Sequence, residues 1–108
     1  MNVKKLRAFN MLAAKHVTQF GTREDFKILL EIAACHGEGA CLTLKQLVLC
    51  VDIPESTLKR RLARLVRLKF AVKQMLPSDR RVHCYTLPEK TLKVFDGLVR
   101  DIRAFTWD

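Results

Sequence analysis

The sequence predicts a mainly α domain with one small β-hairpin, and three observations support that class. Apolar residues recur at intervals of three and four along most of the chain, the period of amphipathic helices. Late in the chain that period gives way to two short runs rich in β-branched and aromatic residues, "FAVKQML" and "VHCYTL", joined by the turn residues of "PSDRR". With 108 residues, 49% of them hydrophobic, the chain can bury a core without disulfides or a metal to staple it. It reads as a single domain over 1–108, with an N-terminal helix at 1–20, a core at 22–87 and a C-terminal helix at 88–107.

Leu6, Phe9, Ala13, Val17 and Phe20 form the stripe of the first helix, with Lys4, Arg7 and Lys15 turned away from it. Gly21 breaks this helix. Thr22 then caps a second one, with Asp25 three residues on in the manner of a capping box. From Phe26 to Cys35 this second helix is apolar almost all round, which makes it the central buried helix, and "HGEGA" ends it. Thr43 caps a brief helix whose Leu44, Leu47, Val48 and Val51 share a face. "DIP" turns the chain, and Pro54 and Glu55 suit the start of the next helix, where one amide proton is expendable and negative charge is favoured. After the hairpin, Phe95, Leu98, Val99, Ile102 and Phe105 make the stripe of a final helix.

The net charge of +9 is concentrated in one segment. Residues 1–58 carry seven bases and six acids, residues 59–81 carry nine and one, and residues 82–108 carry four and four. That focusing is the footprint of a site for a polyanion, nucleic acid first and an anionic membrane second. Its centre is "STLKRRLARLVRLKF", from Ser56 to Phe70, with six Lys or Arg and no acid. Helix surfaces ordinarily mix signs, because like charges three or four residues apart oppose the helix. At about 100° per residue, Leu58, Leu62 and Leu65 face one way, while Ser56, Arg60, Ala63, Arg64 and Arg67 face the other, flanked by Thr57 and Lys59.

Helix, helix, short helix, tight turn, basic helix and a hairpin with Arg80 and Arg81 at its tip is the element order of a winged helix-turn-helix. In that architecture a recognition helix fits the major groove of B-DNA, and the hairpin reaches the backbone or minor groove. Arginine serves both places, through its planar fork on guanine or on phosphate. Lys73, on the first hairpin strand, is read as a phosphate contact.

The stretches "LTLKQLVLCVDIPESTLKRRLARLVRLKFAVKQ" and "SDRRVHCYTLPEK", together roughly half the chain, resemble the MarR-like (multiple-antibiotic-resistance regulator) family of winged-helix transcription factors. The resemblance implies that the helix at 56–69 enters the major groove and that the wing at 77–82 touches DNA, Asp79 holding an arginine in position. It marks Ser56, Thr57, Arg60 and Arg64 as base or phosphate contacts and Arg81 as the foremost wing contact. Two positions depart from the family pattern. Lys69 stands where the family usually has glycine after the recognition helix, and Leu87-Pro88-Glu89-Lys90-Thr91 replaces a Leu-Thr-x-x-Gly sequence.

Winged domains commonly bind as symmetric dimers, setting two recognition helices into successive major grooves about 34 Å apart. The stripes of the two terminal helices are the expected dimer surface: Leu6, Phe9, Phe20, Phe95, Leu98, Ile102 and Phe105. Trp107 points the same way, since a lone monomer would have little use for a tryptophan there.

Cys35, Cys41, Cys50 and Cys84 form no C-x-x-C pair, so buried thiols are expected rather than a metal site, although His36 and His83 adjoin two of them. Cys50 and Cys84 also admit a minor reading as an oxidation switch. His16, His36 and His83 have no Ser or Asp at a recognisable catalytic spacing, and the four glycines form no phosphate loop. The expectation is a DNA-binding transcription regulator that is not an enzyme and has no cofactor. The alternatives are a plasmid or phage replication or partition protein, and a winged domain docking an acidic protein partner. No run of about 18 apolar residues is present, so a cytoplasmic location without membrane contact is expected, and no effector is specified.

Overall fold

The computed structural model describes residues 2–36, 39 and 41–106. Its elements are α1 (Val3–Val17), a 3₁₀ turn (Thr18–Phe20), α2 (Arg23–His36), β1 (Leu42–Thr43), α3 (Leu44–Cys50), α4 (Glu55–Arg67), β2 (Val72–Leu76), β3 (Asp79–Thr86) and α5 (Glu89–Ala104). The three strands form an antiparallel sheet in the order β1-β3-β2. This is a winged helix-turn-helix with amphipathic helices at both ends, the class that the sequence predicts.

Helices α1, α2 and α3 each start where a side chain satisfies a free amide, whereas α4 and α5 start at Pro54 and Pro88 without a side-chain cap. Asn2 Oδ1 accepts from the Lys5 amide at 3.0 Å. Thr22 Oγ1 accepts from the Asp25 amide at 3.3 Å, while Asp25 Oδ2 accepts from the Thr22 amide at 2.8 Å, a reciprocal cap built on the expected pair. Thr43 and Gln46 make the same box on α3, at 3.2 and 2.9 Å. Helix α4 closes in a Schellman motif: the Phe70 amide donates to Leu65 O at 2.9 Å and the Lys69 amide to Val66 O at 3.0 Å. That motif requires a left-handed residue, and Lys69 supplies it with φ 65°.

The core lies between α2, α3, α4 and the sheet, with Ile28, Leu29, Ile32, Leu47, Leu58, Leu62 and Leu65 all buried. Phe20 extends it toward the C-terminal helix, stacked on Phe95 with centroids 6.0 Å apart and edge-on to Phe70 at 5.1 Å. The Thr91 hydroxyl donates to Phe70 O at 2.8 Å, fixing the start of α5 against the end of α4. The two terminal helices meet through Phe9 and Phe105, edge to face at 5.3 Å, and through His16, whose Nε2 lies 2.9 Å from Asp101 Oδ2. Gln19 Nε2 sits 3.2 Å from the other ring nitrogen. His16 is a buried structural histidine, and the aspartate that sequence spacing did not reveal comes from 85 residues away.

Three expectations are corrected by packing. The apolar stripes place Phe20 and Phe95 on a dimer surface, but both are buried within one chain, because their ring stack spans the gap between the 3₁₀ turn and α5. Cys41 and Cys84 are not two buried thiols: they form a disulfide with Cα atoms 5.4 Å apart. The β1–β3 pairing brings them together, since Thr43 lies opposite Cys84 and Leu42 opposite Tyr85. The Asp79-Arg80-Arg81 segment is not a free hairpin tip, because Leu76 pairs with Asp79 and leaves only Pro77 and Ser78 in the turn. Register then jumps from Leu76↔Asp79 to Met75↔His83, so Arg80, Arg81 and Val82 bulge from β3. Cys50 is exposed and Cys35 half-buried. Trp107 and the side chain of His36 lie outside the described residues.

Candidate nucleic-acid interface

Helix α4 sits on the core through Leu58, Leu62 and Leu65, each at most 1% exposed. Its other side therefore faces out. Ser56, Lys59, Arg60, Ala63 and Arg67 are exposed, and Thr57 is half-buried at the margin. One acid lies in the helix, Glu55 in its first turn, so the exposed flank beyond that turn carries Lys59, Arg60 and Arg67 and no carboxylate. Side chains of this kind can reach phosphates and base edges without a carboxylate to repel the strand.

Arg64 departs from the predicted outer face. Its Nη1 donates to Phe20 O at 2.8 Å and to Asp25 Oδ2 at 3.3 Å, so the guanidinium is turned back toward the start of α2. The reason is a buried acceptor pair within reach: Asp25 is fully buried, and the Phe20 carbonyl ends the 3₁₀ turn beside it. Arg61, which the sequence reading did not single out, comes within 3.6 Å of the same carboxylate oxygen. A signal for both existed in Asp25, an acid at the start of a buried helix that needs a cation. Its partner on α4 is 39 residues away, beyond what periodicity can specify.

The wing carries Lys73, Arg80 and Arg81, all exposed. Arg81 is held rather than loose, since Asp79 Oδ1 accepts from its backbone amide at 3.1 Å and from its Nε at 3.2 Å. These bonds stabilise the ionised carboxylate, and they hold the Asp79 carboxyl below the usual carboxylate range. Between wing and helices runs a cleft of about 830 Å³ bordered by Thr43, Lys45, Glu55, Lys73, Arg81 and Tyr85. Lys45, exposed on α3, is a cation of this cleft that sequence analysis missed, because it lies outside the basic segment. Burial pushes the Tyr85 hydroxyl up from its ordinary value. The arrangement offers a convex basic helix, a basic arm beside it and a cleft between them. Among the described residues no cluster of three or more His, Cys, Asp or Glu could hold a metal ion. No described helix is long and apolar enough to cross a membrane.

No protein-family model matches the chain, and no curated protein matches it by sequence. Solved structures do match. A MepR–DNA complex from S. aureus aligns over 90% of this chain and 80% of its own, with TM-score 0.73 and 19% identity. A mutant MarR from E. coli complexed with operator DNA aligns over 87% of this chain and 70% of its own, with TM-score 0.62 and 22% identity. AbfR in an overoxidized form bound to DNA aligns over 94% and 73%, with TM-score 0.64 and 24% identity. The chain has the winged helix-turn-helix fold of the MarR-like regulators.

Proposed function

We propose that this protein is a sequence-specific, double-stranded DNA-binding transcription regulator that acts as a homodimer. The observation that carries the reading is the exposed flank of α4, where Lys59, Arg60 and Arg67 stand on a helix anchored by three buried leucines. Helix α4 enters the major groove with Ser56, Thr57 and Arg60 toward base edges, and Lys59 and Arg67 toward phosphates. The wing follows the backbone or minor groove with Lys73, Arg80 and Arg81. Arg64 is left out of this contact set, because its fork is engaged inside the protein. That neighbours of the same fold were crystallised on DNA supports the reading.

Dimerisation through the terminal helices is supported by apolar side chains exposed there, Leu6 and Ile102 with Val3, Met11 and Val99. Phe9, Leu98 and Phe105, all half-buried, border the same surface.

Selection of duplexes from a random pool, followed by titration of the winners against scrambled DNA at two salt concentrations, tests the proposal. Enrichment of an inverted repeat with half-sites about 10 bp apart supports a dimeric sequence reader. Binding without enrichment turns the reading to architectural DNA binding, and no binding at moderate salt turns it to docking of an acidic protein.

A further inference from the structure

We infer that Asp25, Arg61 and Arg64 are positioning residues that set the roll of the recognition helix about its own axis, and so control base discrimination without touching DNA. The inference rests on the DNA-reading proposal above. It starts from an oddity: a helix meant to face a polyanion turns two of its cations inward.

The three leucines beneath α4 anchor it by apolar burial, whose driving force is non-directional and fixes the roll less sharply than hydrogen bonds to fixed acceptors do. A helix with its side chains is about 10–12 Å across, so a roll of about 20° moves an outer tip by about 2 Å. A binding constellation must be held to about 0.5 Å and 10–20° to work. Something directional is therefore needed on the inner side.

The ion cluster meets that need. Arg61 and Arg64, three residues apart, lie on one face of α4 and converge on a single atom, Asp25 Oδ2, at 3.6 and 3.3 Å. Asp25 is itself locked, since its Oδ2 also accepts from the Thr22 amide at 2.8 Å and the Thr22 hydroxyl at 3.0 Å. Arg64 has a second fixed acceptor, Phe20 O, at 2.8 Å. All the carboxylate contacts fall on Oδ2, leaving Oδ1 and Arg61 Nε without a hydrogen-bond partner. The backbone has been shaped around the cluster as well. A Cβ on Gly21, whose φ is +130°, would stand 2.5 Å from Asp25 Oδ2 and 2.9 Å from Arg64 Nη1. The junction of the 3₁₀ turn and α2 thus forms a seat for one guanidinium, and a rotation of α4 either way would pull that guanidinium from two acceptors at once.

The test compares wild type with Arg64→Lys, Arg64→Met and Asp25→Asn, each titrated on the selected duplex and on scrambled DNA. The quantity read is the ratio of the two affinities, which a change in folded fraction does not move because both affinities scale with it. Arg64→Lys keeps the charge but cannot span both acceptors, and Asp25 is fully buried and out of reach of any duplex. The expected result is a tenfold or greater fall in the ratio for all three, with affinity for scrambled DNA within twofold of wild type. The salt dependence of Arg64→Met should match wild type. A salt slope lower by about one for Arg64→Met would mean that Arg64 neutralises a phosphate, and would overturn the inference. So would a ratio kept within twofold in Arg64→Lys, the variant that decides the matter if Asp25→Asn fails to fold. A wild type without duplex preference would instead sink the DNA-reading proposal, and this inference with it.

Discussion

Asp79, paired with Leu76, and Arg81, in the bulge that follows, form a closed pair two residues apart on the wing. The carboxylate accepts from both the backbone amide and the Nε of Arg81, at 3.1 and 3.2 Å. The Arg81 side chain nevertheless remains 91% exposed, which leaves its outer edge open to a phosphate. Exposure makes the pair worth little for stability. Its value lies in holding a long side chain in one orientation before binding, which lowers the entropy cost of the contact. Asp79→Ala should therefore weaken DNA binding by about threefold to tenfold, as expected when one contacting side chain loses its preorganisation, with little change in thermal stability. Filter binding beside a melting curve checks both halves. A lost melting temperature with intact binding would contradict the assignment.

The pH dependence of that pair has a definite sign. Arg81 holds the Asp79 carboxyl below its ordinary range, so the interaction is complete above the unfolded carboxylate value of about 3.9 and is lost only as pH falls through the lower folded value. Wing ordering by Asp79 should be constant from pH 8 down to pH 5. NMR titration of the Asp79 side-chain carbon checks this, and a midpoint above that of a model peptide would contradict it.

Arg60 and Lys73 should fail in different ways. Arg60 is exposed on the outer flank of α4, where a fork can read a base, whereas Lys73 lies on β2 opposite Tyr85, beside the cleft. Arg60→Ala should cost about 1–3 kcal/mol on the selected site and relax preference at one base pair. Lys73→Ala should weaken all duplexes alike and lower the salt slope by about one. Equal losses on every sequence for both variants would refute base reading by Arg60.

The Cys41–Cys84 disulfide closes a loop of 43 residues that contains α3, α4 and β2. Closing a loop of that length restricts the unfolded chain by an amount worth about 4 kcal/mol. At about 4–8 °C per kcal/mol for a domain of this size, reduction should lower the melting temperature by about 15 °C or more. Thermal unfolding with and without reductant reads the difference, and Cys41→Ser should reproduce the reduced curve without reductant. Coincident curves would show that the crosslink does not contribute to stability.

The helices were legible in the sequence because each depends on local signals: apolar spacing, the Thr22 and Thr43 caps, and breaks at Gly21 and Pro54. The face of α4 was legible for the same reason at Ser56, Arg60 and Arg67. It failed at Arg64, which lies near the edge of the helical wheel, where the choice between solvent and interior depends on whether a buried acceptor lies within reach. Phe20 and Phe95 failed on a related ground, since a stripe shows that a side is apolar but not whether the covering surface belongs to the same chain. β1 has two residues, too few to show a period, and without the β1–β3 register nothing brings Cys41 beside Cys84. Information of this kind resides in long-range pairing, which residue spacing does not encode.

Lys69 shows how a local departure in the sequence marks a local cost in the structure. The Schellman turn after α4 places this residue at φ 65°, the left-handed region in which a Cβ crowds the following carbonyl. The side chain is exposed, so little packing is at stake. For an ordinary residue that conformation costs about 1–2 kcal/mol, against which glycine gives back part through the greater freedom of its unfolded chain. Lys69→Gly should therefore raise stability by about 0.5–1 kcal/mol, read as a higher denaturant midpoint with an unchanged slope. A midpoint that falls would mean that Lys69 contributes through its ammonium group more than the left-handed turn costs, and would place it among the cations that the protein needs at the end of α4.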